Sequence, residues 1–394
     1  MLRNPDYKGV NIVEEDGAKI FRLVSGDPNI YEGGWDTPRH MKDAVVKAIE
    51  DGYNMYPNRL EGLDARLTES ILGWEKRVNG VQYAPEDIIP TQGVAGAIRL
   101  AFPHIMEPGD ELLLTDPTYI PYKRIGNALG KATFFRTIEE EGWIPDIEDL
   151  RRKITPKTRA LVIIHPQNPT GCLYDEKSLK AVADVAGEHG FPLISDEIYG
   201  LFTYGGARFH PLASAAGDVP VITMNSISKH YVATGWRIGH ISIHDPDKKI
   251  GELGENLRAD RAVAGAIPTP LVYGAMAAFD GSTDHIRGMV EKLKERRDLS
   301  HKRLNEIPGL SATKPQAAFF IFPRVEEGPW RDDLEFAQDL KAETRIAVNP
   351  GSFYGEQYSV NHFRVPYLPG VSVLDEIYDR LESFIRKRVS DRRT

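Results

Sequence analysis

Through the middle of this chain, short apolar runs alternate with longer amphipathic stretches, and this alternation narrows the possible folds more than any other feature. Residues 111–115, 160–164, 192–195, 221–225 and 238–243 read as strands: short, rich in leucine or β-branched residues, and bounded by Gly, Pro or Asp. Between them, residues 176–189 place Leu179, Val182, Ala183 and Ala186 on one helical face, with Gly190 as the stop. Strand–helix units in series predict an α/β fold with a largely parallel sheet covered by helices on both faces. The later part differs. Residues 290–305 read as a long solvated helix, 319–322 as a strand, and 334–343 and 372–389 as helices, which predicts a second, α+β unit beside the sheet. Arg386 to Thr394 read as a basic, frayed tail.

Composition sets further bounds. A length of 394 residues suggests about two domains. A hydrophobic fraction of 41% and a charged fraction of 27% exclude wholesale disorder. Lys plus Arg is 49 against 57 for Asp plus Glu, and the net charge of −8 argues against general nucleic-acid binding. The single cysteine, Cys172, permits no intramolecular disulfide and no cysteine-based zinc site. The longest aliphatic run, 160–164, is far short of the ~18 residues of a membrane span, and the first residues carry no apolar signal region. The cytoplasm is the expected location, with no membrane partner.

Five segments carry side chains suited to chemistry. In Ser226 to Gly239, Lys229 directly follows an apolar strand, where a parallel sheet presents residues to a ligand crevice. A lysine there can form a Schiff base once its neighbours lower its pKa. The hydroxyls of Ser226 and Ser228 and the guanidinium of Arg237 suit a phosphate dianion, with a surface lysine in an ordinary loop as the plainer alternative. Asp196 closes another strand, ahead of Tyr199; a carboxylate there can hold a ring nitrogen protonated or simply cap a helix. Asn168, in the loop His165 to Gly171, offers a donor and an acceptor, although its Asn-Pro-Thr-Gly also makes an ordinary tight turn. Thr91 to Ile98 is a small-residue helix start whose free N–H groups suit an anion. Arg364, in Phe363 to Pro366, can fork onto a carboxylate or pair with a surface acid.

In this order the segments resemble the pattern of pyridoxal-phosphate-dependent aminotransferases of fold type I, class I, from about Phe21 to about Arg388. Lys153 to Pro156, Arg303 to Gly309 and Gly328 to Trp330 are similar to the alanine aminotransferase branch of bacteria and archaea. The resemblance implies a large domain, residues 46–285, whose mostly parallel seven-stranded sheet is covered by helices and binds pyridoxal 5'-phosphate. It implies a smaller α+β domain formed by both chain ends, 1–45 and 286–394. It further implies a homodimer with shared active sites, amino-acid and 2-oxo-acid substrates, and no metal.

Roles follow from the same resemblance. Lys229 is similar to the catalytic lysine that carries the cofactor as a Schiff base and then moves the substrate's proton. Tyr119 resembles the aromatic stacked on the cofactor ring, Asn168 and Tyr199 the pair at the ring hydroxyl, and Asp196 the carboxylate at the ring nitrogen. Gly93, Val94, Ala95, Ser226, Ser228 and Arg237 resemble the phosphate cup, and Tyr56 the tyrosine that reaches the neighbouring subunit's phosphate. For the substrate, Arg364 resembles the arginine that grips the α-carboxylate, with Asn168 and the backbone of Gly26 beside it. The implied reaction moves an amino group from alanine or another small neutral donor to a 2-oxo acid such as 2-oxoglutarate, in two ping-pong halves.

The chain departs from the pattern in places. Ala317 stands where the family has glycine and Phe320 where it has tyrosine, both at the pocket's expected far wall. Residues 258–267 depart from the branch, leaving Arg258 and Arg261 open to a dicarboxylic substrate or to a structural salt bridge. Ala95 occupies the position where one bacterial aspartate aminotransferase type uses a lysine for the distal carboxylate. The same cofactor also serves lyases and amino-acid oxidases on this fold, which stay as alternative expectations. A non-enzymatic sensor would add a helix-turn-helix module, for which the roughly 20 residues before the resemblance are too few.

Overall fold

A computed structural model of the chain describes residues 12–15, 18–31, 35–264 and 266–391. Its strands up to residue 244 are β1 (Ile12–Glu15), β2 (Ala18–Leu23), β3 (Ile88–Thr91), β4 (Glu111–Asp116), β5 (Lys131–Ile138), β6 (Ile144–Pro145), β7 (Thr158–Ile164), β8 (Leu193–Asp196), β9 (Val221–Ser226) and β10 (Gly239–His244). The large sheet has the order β3-β10-β9-β8-β7-β4-β5-β6. From β9 through β5 all neighbours are parallel, while β10 runs antiparallel to both β9 and β3. The sheet is mostly parallel and helix-covered, as expected, with one strand more than seven. The addition is the two-residue β6, which turns back at Gly142 and pairs antiparallel with β5 at the edge.

Burial explains why the central strands were readable. β8 and β9 are buried at every position, so both faces demand apolar or satisfied side chains. One face packs Ile194, Ile222 and Met224 against Ala97, Ala101 and Phe102 of the helix Gly93–Ile105. The other packs Leu161, Ile163, Leu193 and Val221 against Leu179, Val182, Ala183 and Ala186 of the helix Glu176–His189. That helix has the expected bounds: Asp175 caps it by accepting from the Ser178 N–H, and Gly190 ends it in the left-handed region at φ 73°.

The later strands are β11 (Leu310–Ser311), β12 (Phe320–Ile321), β13 (Arg324–Val325), β14 (Ile346–Pro350) and β15 (Phe363–Pro366). A second sheet has the order β1-β2-β14-β15-β12, so it is woven from both chain ends, with β14 parallel to β2 through Ile346 opposite Phe21. The helices Asp284–Glu306, Asp333–Thr344 and Val371–Asp391 bury Leu293, Phe336, Leu340, Leu381 and Phe384 with it. The expected basic tail is corrected over residues 386–391, which continue the last helix. There Arg386 pairs with Glu382 at 2.8 Å, Lys387 with Glu343 at 3.3 Å and Arg388 with Asp339 at 3.2 Å. Residues 392–394 lie outside the described residues.

Candidate active site

β4, β7, β8 and β9 are parallel, so their carboxyl ends share one edge of the large sheet, and antiparallel β10 brings its amino end there too. Gly239, which opens β10, sits opposite both Ser226 and Thr91. A cavity of about 130 Å³ at this edge is lined by Val94, Ala95, Asp196, Ser228, Lys229 and Arg237, among others. It adjoins a second of about 440 Å³ lined by Gly26, Asp27, Phe320, Tyr354 and Arg364; Tyr119, Asn168, Tyr199, Lys229 and Thr234 line both.

Lys229 is delivered by a short helix, Ile227–His230, that starts as β9 ends. The Ser226 hydroxyl caps it by accepting from the Ser228 N–H at 3.1 Å. The Lys229 ammonium donates to the Gly26 carbonyl at 2.7 Å. Burial, with the Arg364 and Arg237 guanidiniums, brings the amine down to about 8, against the opposing charges of Asp27 and Asp196. Asp196, the last residue of β8, is buried and accepts from the Tyr122 hydroxyl at 2.9 Å and the Ile198 N–H at 3.3 Å. Burial raises its carboxyl to about 6, and those bonds and the charge of Lys229 hold it there.

At the far end, Gly93 opens the helix Gly93–Ile105 at φ +68°, and a Cβ built on it would lie 2.7 Å from an Arg237 nitrogen. Arg237 is exposed and donates to the Thr234 carbonyl at 2.8 Å. Ser228, Val94 and Ala95 line the cavity, whereas Ser226 is not among its lining residues and caps the short helix. Asn168 joins the two cavities: its amide donates to the Tyr199 hydroxyl at 3.4 Å, and its carbonyl oxygen accepts from Arg364 at 3.0 Å. Arg364, on β15, also donates to the Val24 carbonyl at 2.7 Å and stacks on Phe320 and Tyr354 at 4.6 and 5.2 Å. Its Nε is buried and has no hydrogen-bond partner among the described residues.

Some expected residues lie elsewhere. Tyr56 is 79% exposed and lines a separate cavity with Asp64 and Arg261. Arg261 pairs with Asp64 at 2.6 Å and Arg258 donates to the Glu86 carbonyl, so within this chain both serve as structural contacts. Phe320 lines the second cavity and Ala317 lines neither. Sequence reading missed Tyr122, Thr234 and Arg124. The signal for Tyr122 was its spacing, three residues past Tyr119 and so one helical turn on. Arg124 lines the second cavity from the same helix, Ile120–Leu129, and among the described residues has no acid partner.

Residues 18–380 match the family model described as aminotransferase class I and II. The chain belongs to this family. It is 32% identical to an aspartate aminotransferase of Bacillus subtilis over 380 residues, covering 94% of this chain and 92% of the relative. It is 29% identical to the glutamate-pyruvate aminotransferase of Escherichia coli over 391 residues, covering 98% and 94%. Among solved structures, an alanine aminotransferase from Pyrococcus furiosus is 45% identical, with a TM-score of 0.90 over 94% of this chain and 93% of that one. The protein is therefore a transaminase, and enzymes of this family use pyridoxal 5'-phosphate. Among the described residues, no helix is long and apolar enough to cross a membrane.

Proposed function

We propose that this aminotransferase takes its amino group from L-alanine or another small neutral amino acid and passes it to 2-oxoglutarate, in the cytoplasm, as a homodimer with shared sites. The observation that carries the reading is the pairing in one site of a buried amine tuned to about 8, Lys229, with a buried arginine, Arg364, whose Nε lacks a partner among the described residues. The donor set fits the cofactor. A glycine cradle, the Ser228 hydroxyl and the Arg237 guanidinium at one end suit a phosphate; the buried Asp196 carboxylate suits a protonated ring nitrogen; the Tyr199 hydroxyl suits a ring oxygen. Tyr119 supplies an aromatic face, and Tyr56, exposed here, would serve the neighbouring subunit. On the same reading the chain divides into a large unit, 46–285, and a small one from both ends.

When bound, pyridoxal 5'-phosphate supplies an aldehyde carbon for the amino group and a pyridinium ring that withdraws electrons from the substrate's Cα. Arg364 binds the α-carboxylate, and Asn168, bonded to it, sets its orientation. Lys229 Nζ is placed to take the substrate's Cα proton and to hold it for return, a task suited to an amine brought down to about 8. Asp196, its carboxylate fixed by the Tyr122 hydroxyl, would hold the ring nitrogen of a bound cofactor in its protonated form. The donor leaves as its oxo acid before the acceptor binds. Small neutral donors suit a pocket walled by Phe320 and Tyr354, and Arg124, which has no acid partner among the described residues, suits the second carboxylate of 2-oxoglutarate.

The test is a half-reaction: L-alanine added to the yellow holoenzyme should bleach the cofactor's visible band and release pyruvate without ammonia. Failure of every common amino acid to do so overturns the reading, and ammonia release without an oxo-acid acceptor points to a lyase or oxidase instead. Lys229→Ala should abolish covalent cofactor attachment.

A further inference from the structure

Asp116 ends β4, three residues before Tyr119, and is buried. Its carboxylate accepts four hydrogen bonds from consecutive main-chain N–H groups of a distant loop: Oδ2 from Glu356, Gln357 and Tyr358 at 3.0, 2.8 and 3.1 Å, and Oδ1 from Ser359 at 3.1 Å. Successive N–H groups turned onto one anion form a nest. Gly355 leads into it, and a Cβ built there would lie 1.8 Å from Asp116 Oδ1, so this close approach needs a residue without a side chain. Two further bonds cross the same seam: the Thr118 N–H to the Tyr354 carbonyl at 2.7 Å, and the Lys123 ammonium to the Gly355 carbonyl at 2.9 Å.

The seam joins the segment that carries Tyr119, on the large sheet, to the segment that carries Tyr354, on the small one. The Tyr354 ring lies 5.2 Å from the Arg364 guanidinium. The Asn349 amide donates to the Tyr354 hydroxyl at 3.0 Å, and Asn349 faces Arg364 across the β14–β15 register. Apolar packing lets two surfaces slide; four directional bonds to one carboxylate do not. We propose that Asp116 is a positioning residue for substrate: its carboxylate anchors the 355–359 loop to the large sheet and so fixes Tyr354 and Arg364 relative to Tyr119 and Lys229. Removing that acceptor leaves four N–H groups unanswered in the seam and frees the wall behind Arg364 to move.

The proposal rests on Arg364 as the receptor for the substrate's carboxylate. In the holoenzyme, Asp116→Asn and Gly355→Ala should each raise the Kd of the best amino-acid donor in the half-reaction about tenfold or more, with cofactor Kd changed less than about twofold. An unchanged donor Kd in either folded, cofactor-loaded variant overturns it. Amide hydrogen exchange in the wild-type holoenzyme decides the matter even if both variants fail to fold. The N–H groups of residues 356–359 should exchange at least about 100-fold more slowly than an open loop, with or without amino acid. Exchange at open-loop rates overturns the anchor. Arg364→Lys separates the two readings: if it leaves donor Kd unchanged, the assignment of Arg364 fails, while the exchange result still judges Asp116.

Discussion

Lys229 and Asp196 line one cavity, and burial shifts both toward their neutral forms. For Lys229 the neutral form is the nucleophile. In cofactor-free protein its reaction with an amine-specific reagent should therefore rise with pH to half its maximum at about 8, where surface lysines have barely begun to react; peptide mapping of the labelled protein measures this. For Asp196 the folded state holds its proton more tightly than the unfolded chain, whose value is 3.8. Its contribution is then fully present below 3.8 and is lost as the pH rises through about 6. Above that pH the buried carboxylate, without its cofactor, costs the folded state stability. Asp196→Asn should raise the Tm of cofactor-free protein near pH 7 but not near pH 4, and should slow transamination at least about 100-fold. If 2-oxoglutarate is the acceptor, as proposed, Arg124, which lines the second cavity, is placed for its second carboxylate: Arg124→Met should raise KM for 2-oxoglutarate about tenfold, the loss of one charge-assisted bond, and KM for pyruvate less than about twofold. Equal changes for the two acids would remove Arg124 from the site.

At the scale of elements, the chemistry sits where strands stop. Asp196 and Ser226 are the last residues of β8 and β9, and Gly93 begins the helix after β3. Gly93 combines a left-handed φ of +68° with a guanidinium 2.7 Å from where a Cβ would be. Gly93→Ala should weaken cofactor binding at least about tenfold and cost about 1–2 kcal/mol of stability, read by cofactor titration and urea unfolding. The central strands were legible because burial on both faces leaves continuous apolar runs. β3 and β5 were not: Pro90 demotes the first, and the Lys131 and Arg136 that break up the second stand among alternately buried positions. Tyr122 was hidden for another reason. Its spacing says only that it lies three residues past Tyr119, and its bond to Asp196 spans 74 residues of sequence.

The whole molecule brings its two sheets together so that the second cavity takes Gly26 and Arg364 from one and Lys229 from the other. Val46, Ile49, Met55 and Tyr56 remain exposed, by 51, 54, 46 and 79%, an apolar group suited to a second copy of the chain. Sedimentation should give twice the 44.1 kDa chain mass, and Tyr56→Phe should raise the cofactor Kd severalfold while leaving the dimer intact. A stable monomer carrying full activity would refute the shared site. The sequence by itself determined the family, the α/β class and the order of chemical segments, because these depend on local pattern: apolar runs, strand ends and turn residues. Tertiary structure alone decided which distant groups complete them. Tyr122 bonding to Asp196, Arg364 to Asn168 and the 355–359 loop to Asp116 are contacts between segments 74 to 243 residues apart, set by packing rather than by any periodicity along the chain.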